Sequence, residues 1–458
     1  MNIILIVVDT LRADHLGCYG YFRDTSPTID RLANEGVLFP DAHATAVATG
    51  PAFTSIITGL YPIHHGCYVT PYNLFNLFDI DDSIPGLAEM VWQEGYTTCA
   101  FDGLLSFASP MKQMARGFEY YVNYSLSPLT HMGRKAAQSN EDGAHGFRGH
   151  IPASIPGGVI NKRLLPWLRE HSEEPFFLFV HYWEPHAPYN QPEEFRGIFH
   201  HKRGDYSDLK VERSRAGYEY VPGWGKVGEL WEEEKDELSI DLYDGEVRYV
   251  DTLIKEVIDN LKESGIADDS LIILTADHGE QLGQHGIYGH GGLHEAVTHI
   301  PLIMWGPKLI PGGKVIPGYV HHVDIAPTIL DFIGSDTAPA LDGASLLPIV
   351  DGKKMGRTQL VLEDEEERAL LSNGWKYIYD YERDVDALYD LVNDPIEVVN
   401  LAEQEESRRS EMKASLEKWV DTNLAGRSDP LMAAIAKWRS LWKVQLGVDF
   451  PTSERPVL

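Results

Sequence analysis

The feature that most constrains this chain is a buried strand that ends in an Asp-His pair. Residues 271–274 are consecutive apolar residues, and Asp277 and His278 follow shortly after them. Such a run is typical of a strand that is covered on both faces of a parallel sheet. Ligands bind at the carboxyl ends of such strands, and a carboxylate beside an imidazole offers adjacent ligands for a divalent metal. The pair therefore indicates a candidate metal site at a sheet edge.

The N-terminus repeats this arrangement. Residues 3–8 form another continuous apolar run, and Asp9 and Thr10 follow it directly. Because parallel strands end at a common sheet edge, Asp9 is expected to lie close to Asp277. A second carboxylate at the same edge strengthens the prediction of a metal site.

A third segment, residues 43–66, contains a candidate nucleophile. Gly50 and Pro51 predict a turn, and residues 52–58 predict a short helix, so Thr49 stands just before the helix start. The first turn of a helix presents unpaired N–H groups that can bind an anion. Threonine is also a favoured N-cap residue, so position alone leaves both roles open for Thr49.

Strand and helix patterns alternate along most of the remaining chain. This alternation indicates an α/β fold with a doubly wound, mostly parallel sheet. We predict one catalytic domain over residues 1–346, with irregular excursions near 104–157 and 189–233. Residues 347–458 hold short β runs and then two helices, which predict a small C-terminal α+β subdomain.

Composition narrows the set of partners and compartments. The 458 residues carry 39 basic and 69 acidic side chains, a formal net charge of −30, which disfavours nucleic acid and anionic membranes as partners. The three cysteines lack the spacing of a disulfide framework and predict free thiols in a reducing compartment. We find neither a basic leader before the first strand nor an apolar run of the roughly 20 residues that span a membrane. We therefore expect a cytoplasmic location. The last predicted helix can dock either on the main domain or on another subunit, so the sequence leaves a homo-oligomer open.

Several motifs follow one another in a specific order. They are VVDTLRADHLGCYG, GPAFTSIITGLYPIHHG, VHYWEPHAPY, TADHGEQLGQHG and HHVDIAPTILDFIG. In this order they resemble the sulfatase branch of the alkaline phosphatase superfamily, close in pattern to phosphonate monoester hydrolases and phosphodiesterases. The resemblance covers nearly the whole chain. It implies an alkaline-phosphatase-like fold with a small C-terminal antiparallel sheet.

The resemblance also implies roles for individual residues. The implied metal ligands are Asp9, Asp277, His278 and Thr49, with Thr49 also in the nucleophile slot. His186 and His290, the latter at a position where the family often has Lys, would face the oxyanions or the leaving group. His181 ends the strand predicted over residues 175–181, which precedes His186, and is interpreted as a packed strand residue.

Four further positions are implied to lie near the substrate. Thr10 takes the place of a second carboxylate, and Phe53 takes the place of an arginine. His65 and Thr70 are weaker candidates for the same pocket. The resulting ligand set predicts one divalent ion per chain, either Mn, Zn or Ca. A second ion at His285, His294 and His299 stays open, although these residues lack an additional Asp with suitable spacing.

The departures from the family pattern favour a particular chemistry. Typical sulfatases have Cys or Ser in the nucleophile slot, converted to formylglycine, followed by x-Pro-x-Arg, whereas this chain has Thr49 and Phe53. Threonine is not a substrate for that conversion. A modified threonine must be cleared by attack on phosphorus or sulfur, and attack on phosphorus assisted by a metal and a base is common enzyme chemistry.

The predicted function is therefore metal-assisted hydrolysis of a small-molecule ester. The Thr49 hydroxyl would attack phosphorus in line, His186 or His290 would protonate the leaving oxygen, and water would hydrolyse the phosphothreonine. Phosphate diesters or phosphonate monoesters are the expected substrates, because an apolar group fits beside Phe53. A sulfuric ester hydrolase and a non-catalytic binding protein are the alternatives.

Overall fold

The computed structural model describes residues 1–68, 80–103, 115–122, 155–187, 189, 191–199, 233–335 and 339–446. The helices are α1 Pro27–Glu35, α2 Thr49–Thr58, α3 Pro62–His65, α4 Leu87–Gln93, α5 Gly157–Glu170, α6 Glu233–Glu263, α7 Glu295–Thr298, α8 Ile325–Ile333, α9 Leu347–Val350, α10 Glu406–Leu424 and α11 Pro430–Leu446. Short 3₁₀ turns are Ala13–His15, Gly17–Tyr19, Ala267–Asp269, Gln284–Gly286 and His322–Asp324.

The strands form one large sheet and several smaller ones. They are β1 Asn2–Val8, β2 Val37–Leu38, β3 Ala42–His43, β4 Thr97–Asp102, β5 Tyr120–Val122, β6 Phe176–Tyr182, β7 Ser270–Ala276, β8 Gln281–Leu282, β9 Tyr288–Gly289, β10 Leu302–Trp305, β11 Lys314–Val315, β12 Val320–His321, β13 Gln359–Glu363, β14 Glu367–Ser372, β15 Trp375–Asp380 and β16 Val385–Asp390. Within the described ranges the large sheet has the order β11-β2-β10-β7-β1-β6-β4-β5.

The centre of the large sheet is parallel and buried on both faces. β1 pairs in parallel with β6 and β7, and β6 pairs in parallel with β4, whereas β10 runs antiparallel to β7. Every residue of β1, β6 and β7 is buried, because helices cover both faces of such a sheet. The helices α1 and α5 contact α6, and α2, α4 and α8 contact one another. The predicted doubly wound, mostly parallel fold is confirmed.

One element begins earlier than the sequence predicts. The helix expected over residues 52–58 starts at Thr49, so Gly50 and Pro51 lie in its first turn rather than in a separate turn. Proline is tolerated in a first helical turn because the N–H it lacks would have no partner there. Thr49 is therefore the first residue of α2, not the residue before it.

The C-terminal strands form the predicted small antiparallel sheet. β13, β14, β15 and β16 pair consecutively, and α10 packs on β14 and β15. The division of the chain after residue 346 stays a prediction. Most of the two predicted excursions lies outside the described residues. None of the helices described here is long and apolar enough to cross a membrane.

Glu363 of β13 connects the C-terminal sheet to the rest of the chain, and a buried ion pair with Arg368 holds its carboxylate. Arg368 of β14 donates from Nε to Glu363, 2.8 Å away, and from Nη1 to Asp429, 2.6 Å away. The Tyr68 hydroxyl donates to the same Glu363 carboxylate at 2.6 Å. The Glu363 backbone pairs with the segment before α2, since its N–H donates to the Thr45 carbonyl at 3.0 Å. The C-terminal sheet thus contacts the segment that leads to Thr49.

Arg368→Met is expected to destabilise the protein strongly. The substitution leaves the Glu363 carboxylate buried without its counter-charge, which costs about 3–5 kcal/mol of the free energy of unfolding. Urea denaturation followed by circular dichroism measures this change. Arg409→Met is the control, because Arg409 is partly exposed and 3.8 Å from Asp386, and its loss should cost less than about 1 kcal/mol. Equal, small losses in both variants would contradict the structural role of the buried pair.

Candidate active site

Three potential metal ligands converge at the carboxyl edge of the large sheet. Val8 of β1 lies opposite Ala276 of β7 in a parallel pair, so Asp9 and Asp277 leave the sheet side by side. One ligand atom from each of Asp9, Asp277 and His278 lies within 4.8 Å of the others. All three side chains are fully buried. The structure thus brings together three of the four residues that the sequence predicted as ligands, Thr49 being the fourth.

Contacts among the described residues leave one oxygen of each aspartate without a hydrogen-bond partner, and Nε2 of His278 lies 3.3 Å from one of these oxygens, Oδ2 of Asp277. The Asp277 Oδ1 atom accepts from the N–H groups of Thr10, at 3.0 Å, and His278, at 2.8 Å. The His278 Nδ1 atom lies 2.9 Å from the Gly279 carbonyl, so Nδ1 carries the proton and Nε2 has a lone pair. In the described part of the chain, Asp9 Oδ1 and Asp277 Oδ2 are buried without a hydrogen-bond partner.

These atoms fit a divalent cation. Buried carboxylate oxygens without partners are costly, and a bound cation satisfies both of them. Ligands at about 2.0–2.6 Å from one ion lie at most about 4–5 Å apart, which matches the 4.8 Å spread of the cluster. The donor set of two carboxylates and one imidazole is compatible with Mn, Zn or Ca.

Thr49 lies beside this cluster. Its Oγ1 atom is 3.4 Å from Nε2 of His278, and the residue is almost fully buried. Ala48, which precedes it, has a φ of 67°, a conformation that is uncommon for residues other than glycine. This turn, together with the pairing of residues 45 and 47 with Glu363, directs the start of α2 towards the cluster.

Two further histidines extend the cluster. The His290 ring is 4.5 Å from the His278 ring and 5.1 Å from the His186 ring, measured between centroids. The His186 Nδ1 atom donates to the Ala187 carbonyl, and burial lowers the pKa of His186 to about 3. Burial also acts to lower the pKa of His290, but the Glu280 carboxylate, 4.0 Å from Nδ1, outweighs it and raises that pKa.

His181 has a contact that the sequence did not reveal. It was expected to be a packed strand residue, and it does lie in β6. However, its Nε2 atom is 3.3 Å from Oδ2 of Asp9, and its Nδ1 atom is 2.9 Å from Oδ1 of Asp102. Burial alone would lower the pKa of His181, but these two hydrogen bonds outweigh it and raise that pKa to about 10. Only the neighbouring positions of β1, β6 and β4 bring these residues together.

The four predicted pocket positions differ in their surroundings. Thr10 donates its N–H to Asp277 and has a φ of 54°. Phe53 is buried and packs on Phe179 and His181, with ring centroids 5.9 and 4.7 Å away. A cavity of about 20 Å³, lined also by Ile57 and Phe118, remains beside it, so the open space expected there is present but small.

His65 does not extend the described cluster. The His65 Nδ1 atom accepts from the Cys67 N–H at 3.1 Å, and its Nε2 atom is 3.0 Å from the Ser55 hydroxyl. Burial lowers the pKa of His65 to about 3. Both ring nitrogens are thus used within the protein. Thr70 lies outside the described residues, and its role stays a prediction.

The histidines proposed for a second ion are separated. His285 and His294 stack with centroids 4.0 Å apart, whereas His299 bonds the Pro40 carbonyl and stacks on His43. Among the described residues, Asp9, Asp277 and His278 form the only cluster of three potential ligands within 4.8 Å. The prediction of one ion per chain therefore has a single candidate site here.

Comparison with known proteins identifies the family. A sequence model of the Sulfatase family matches residues 1–335, which is well over half of the chain. A second model, described as N-sulphoglucosamine sulphohydrolase, C-terminal, matches residues 283–423. The fold and site define a member of the alkaline phosphatase superfamily. The chain belongs to the Sulfatase family within it, and the predicted enzyme class, a hydrolase acting on ester bonds, is confirmed.

Individual relatives differ in their named activities. The multifunctional alkaline phosphatase superfamily protein PehA of Trinickia caryophylli is 28% identical over 413 residues, which cover 79% of this chain and 80% of that protein. The choline-sulfatase of Rhizobium meliloti (strain 1021) is 26% identical over 437 residues, covering 88% and 82%. The solved phosphonate monoester hydrolase of Agrobacterium radiobacter has a TM-score of 0.71 at 22% identity, covering 92% of this chain and 96% of that one. Similarity at that identity establishes the fold.

We expect Mn²⁺ binding to weaken as the pH falls below about 6. Burial raises the pKa of Asp277 to about 6, and protons compete with a metal for this carboxylate. The carboxylate is ionised at pH 7.5, and each pH unit below about 6 should lower the association constant by up to about tenfold. Isothermal titration calorimetry from pH 7.5 to 5 measures the change. Asp277→Asn should bind weakly at every pH, and constant wild-type affinity down to pH 5 would contradict the assignment of Asp277.

Proposed function

We propose that this enzyme hydrolyses phosphate diesters or phosphonate monoesters, with Thr49 as nucleophile and one divalent ion as cofactor. The observation that carries the proposal is the position of the Thr49 hydroxyl, 3.4 Å from Nε2 of His278 in the candidate metal cluster. An ester between threonine and phosphate is cleared by attack of water on phosphorus. Threonine in this position therefore favours phosphoryl transfer over a formylglycine mechanism.

The candidate ligands would prepare the nucleophile. Asp9, Asp277 and His278 would hold the ion, which would lower the pKa of an adjacent hydroxyl and offset charge on the phosphoryl oxygens. The Thr49 side chain stands at the first position of α2, where the unpaired N–H groups of the first turn can hold an oxyanion. Both features favour developing negative charge at the same place.

The two histidines have different hydrogen-bonding capacities. Nδ1 of His186 donates to the Ala187 carbonyl, so its Nε2 atom is left as an acceptor. His290 instead faces the Glu280 carboxylate, which stabilises a doubly protonated ring. We assign His290 as the general acid and His186 as an acceptor for a substrate hydroxyl or water.

The proposed reaction has two displacements. The Thr49 hydroxyl first loses its proton to solvent. The alkoxide Oγ1 then forms a bond to phosphorus as the bond from phosphorus to the leaving oxygen breaks, and His290 gives its proton to that oxygen. Water then attacks the phosphothreonine and gives one proton to His290, and the bond from phosphorus to Oγ1 breaks, which releases Thr49 as the alkoxide and restores the state before attack. No oxidant or further reactant is needed.

The names of the relatives support two substrate classes. Phosphonate monoester hydrolases share the fold, whereas a choline-sulfatase shares 26% of its aligned residues. A sulfuric ester hydrolase with a threonine nucleophile is therefore the second candidate. A small-molecule substrate, a homo-oligomer and a cytoplasmic location stay predictions, as does the absence of nucleic acid and membrane partners.

The first test compares matched p-nitrophenyl esters. Initial rates with Mn²⁺ on a phosphate diester, a phenylphosphonate, a phosphate monoester and a sulfate should be highest on the diester or the phosphonate. Thr49→Ala should lower kcat by about 10³-fold or more, because it removes the attacking oxygen, whereas Thr49→Ser retains a hydroxyl and should retain measurable turnover.

The outcomes separate the candidate functions. Preference for the sulfate would show that the enzyme is a sulfuric ester hydrolase and would contradict the proposed hydrolysis of phosphate or phosphonate esters. Thr49→Ala turnover at the wild-type rate would exclude Thr49 as nucleophile. Mn²⁺ binding without turnover of any ester would favour the non-catalytic alternative.

The role of His290 predicts a dependence on the leaving group. His290→Gln should lower kcat by about 10²–10⁴-fold for an ester of an alkyl alcohol, because that alkoxide needs a proton as it leaves. The loss should be much smaller for p-nitrophenolate, which is a stable anion. Rates of both esters in the wild type and the variant measure this difference. An equal loss for both leaving groups would show that His290 has another role.

A further inference from the structure

His181 is held between two carboxylates that come from different strands. Its Nε2 atom is 3.3 Å from Oδ2 of Asp9, and its Nδ1 atom is 2.9 Å from Oδ1 of Asp102. His181 and Asp9 are fully buried and Asp102 nearly so. Because both carboxylates are buried, the packing of the protein and not contact with water determines the position of the imidazole.

The strand register fixes this arrangement. His181 lies opposite Val7 in the pair of β1 and β6, and opposite Asp102 in the pair of β4 and β6. Asp9 follows β1 and bonds the Tyr182 carbonyl through its own N–H at 2.9 Å. Because these strands are central and buried, the imidazole can move little relative to Asp9.

Phe53 packs against the imidazole. Its ring centroid is 4.7 Å from that of His181, in an edge-to-face arrangement. Phe53 stands where the family pattern has an arginine. The chain thus lacks that cation on α2 but has an imidazole from β6 beside the Phe53 ring.

We propose that Asp102 and His181 form a positioning dyad for Asp9. The His181 Nε2–H group holds Oδ2 of Asp9, so that Oδ1 faces the metal position, and Asp102 fixes the ring by accepting from Nδ1. This inference rests on the metal site of the proposed function, but not on the identity of the substrate.

The dyad completes the orientation of the ligand set. Asp277 is held by the N–H groups of Thr10 and His278, and His278 is held by the Gly279 carbonyl. Asp9 has the His181 imidazole in the equivalent role. Outer partners of this kind determine how well a ligand set binds its ion, and their loss typically costs about 10–100-fold in affinity.

Two double variants of equal charge test the dyad. Glutamine places its amide nitrogen near the position of Nε2 of histidine, whereas the shorter asparagine resembles Nδ1 and does not reach Asp9. His181→Gln with Asp102→Asn therefore retains a donor to Asp9, and His181→Asn with Asp102→Asn loses it. Both variants remove one positive and one negative charge, so the net charge of the site does not change.

The measurement is Mn²⁺ affinity by isothermal titration calorimetry, together with the rise in Tm that Mn²⁺ causes. The glutamine variant should bind close to the wild-type affinity, and the asparagine variant should bind about 10–100-fold more weakly. A purely structural role would lower the Tm of both metal-free variants without separating their affinities. His181→Leu with Asp102→Leu, which replaces both partners with apolar groups, is a second variant without the donor, in case the asparagine variant does not fold.

The results distinguish this inference from the proposed function. Equal Mn²⁺ affinity in the variants with and without the donor would overturn the dyad. Tighter binding without the donor would also overturn it, because His181 would then act only as a charge that opposes the ion. If the affinities separate as expected while no phosphate or phosphonate ester is hydrolysed, the dyad stands and the proposed substrate class falls.

Discussion

Two aspartates held side by side without access to water are the constraint on which the rest of this site depends. Asp9 and Asp277 cannot separate, because each follows a central strand and the two strands are paired in parallel. Buried carboxylates in contact destabilise each other unless opposite charge or hydrogen-bond donors compensate. The backbone N–H groups around Asp277 and the imidazole beside Asp9 supply part of this compensation. The remaining unpartnered oxygens favour a cation at the point around which Thr49, His186 and His290 lie.

The sequence predicts this centre because the central strands leave a strong pattern. Apolar runs without alternation identify strands that are buried on both faces, and the first polar residue after each run marks the sheet edge. The sequence alone identifies Asp9 and Asp277 in this way. The sequence does not define the start of α2 in the same way, because Gly50 and Pro51 are compatible both with a separate turn and with a first helical turn. This ambiguity affects only the first residues of the helix, which begins at Thr49 instead of at residue 52. Thr49 lies beside the candidate metal cluster all the same.

Other parts of the site depend on contacts between distant strands, which no local pattern contains. His181 is separated from Asp102 by 79 positions and from Asp9 by 172. Strand periodicity places His181 in β6 but does not give the register of β6 against its neighbours. The surroundings of Phe53 are equally non-local, because a missing arginine suggests open space until the ring of His181 is known to occupy one side of it.

The pairing of Glu363 with residues 45 and 47 has a consequence for the order of folding. Glu363 also accepts from the N–H of Ile63, which lies 300 positions earlier in the chain. A growing polypeptide folds from its N-terminal part first, so the large sheet can begin to assemble while the partner of the segment before Thr49 is still being synthesised. The segment before Thr49 then gains its last backbone partner only after the small C-terminal sheet has docked. Synthesis order would thereby delay the final placement of Thr49 until that sheet has been made.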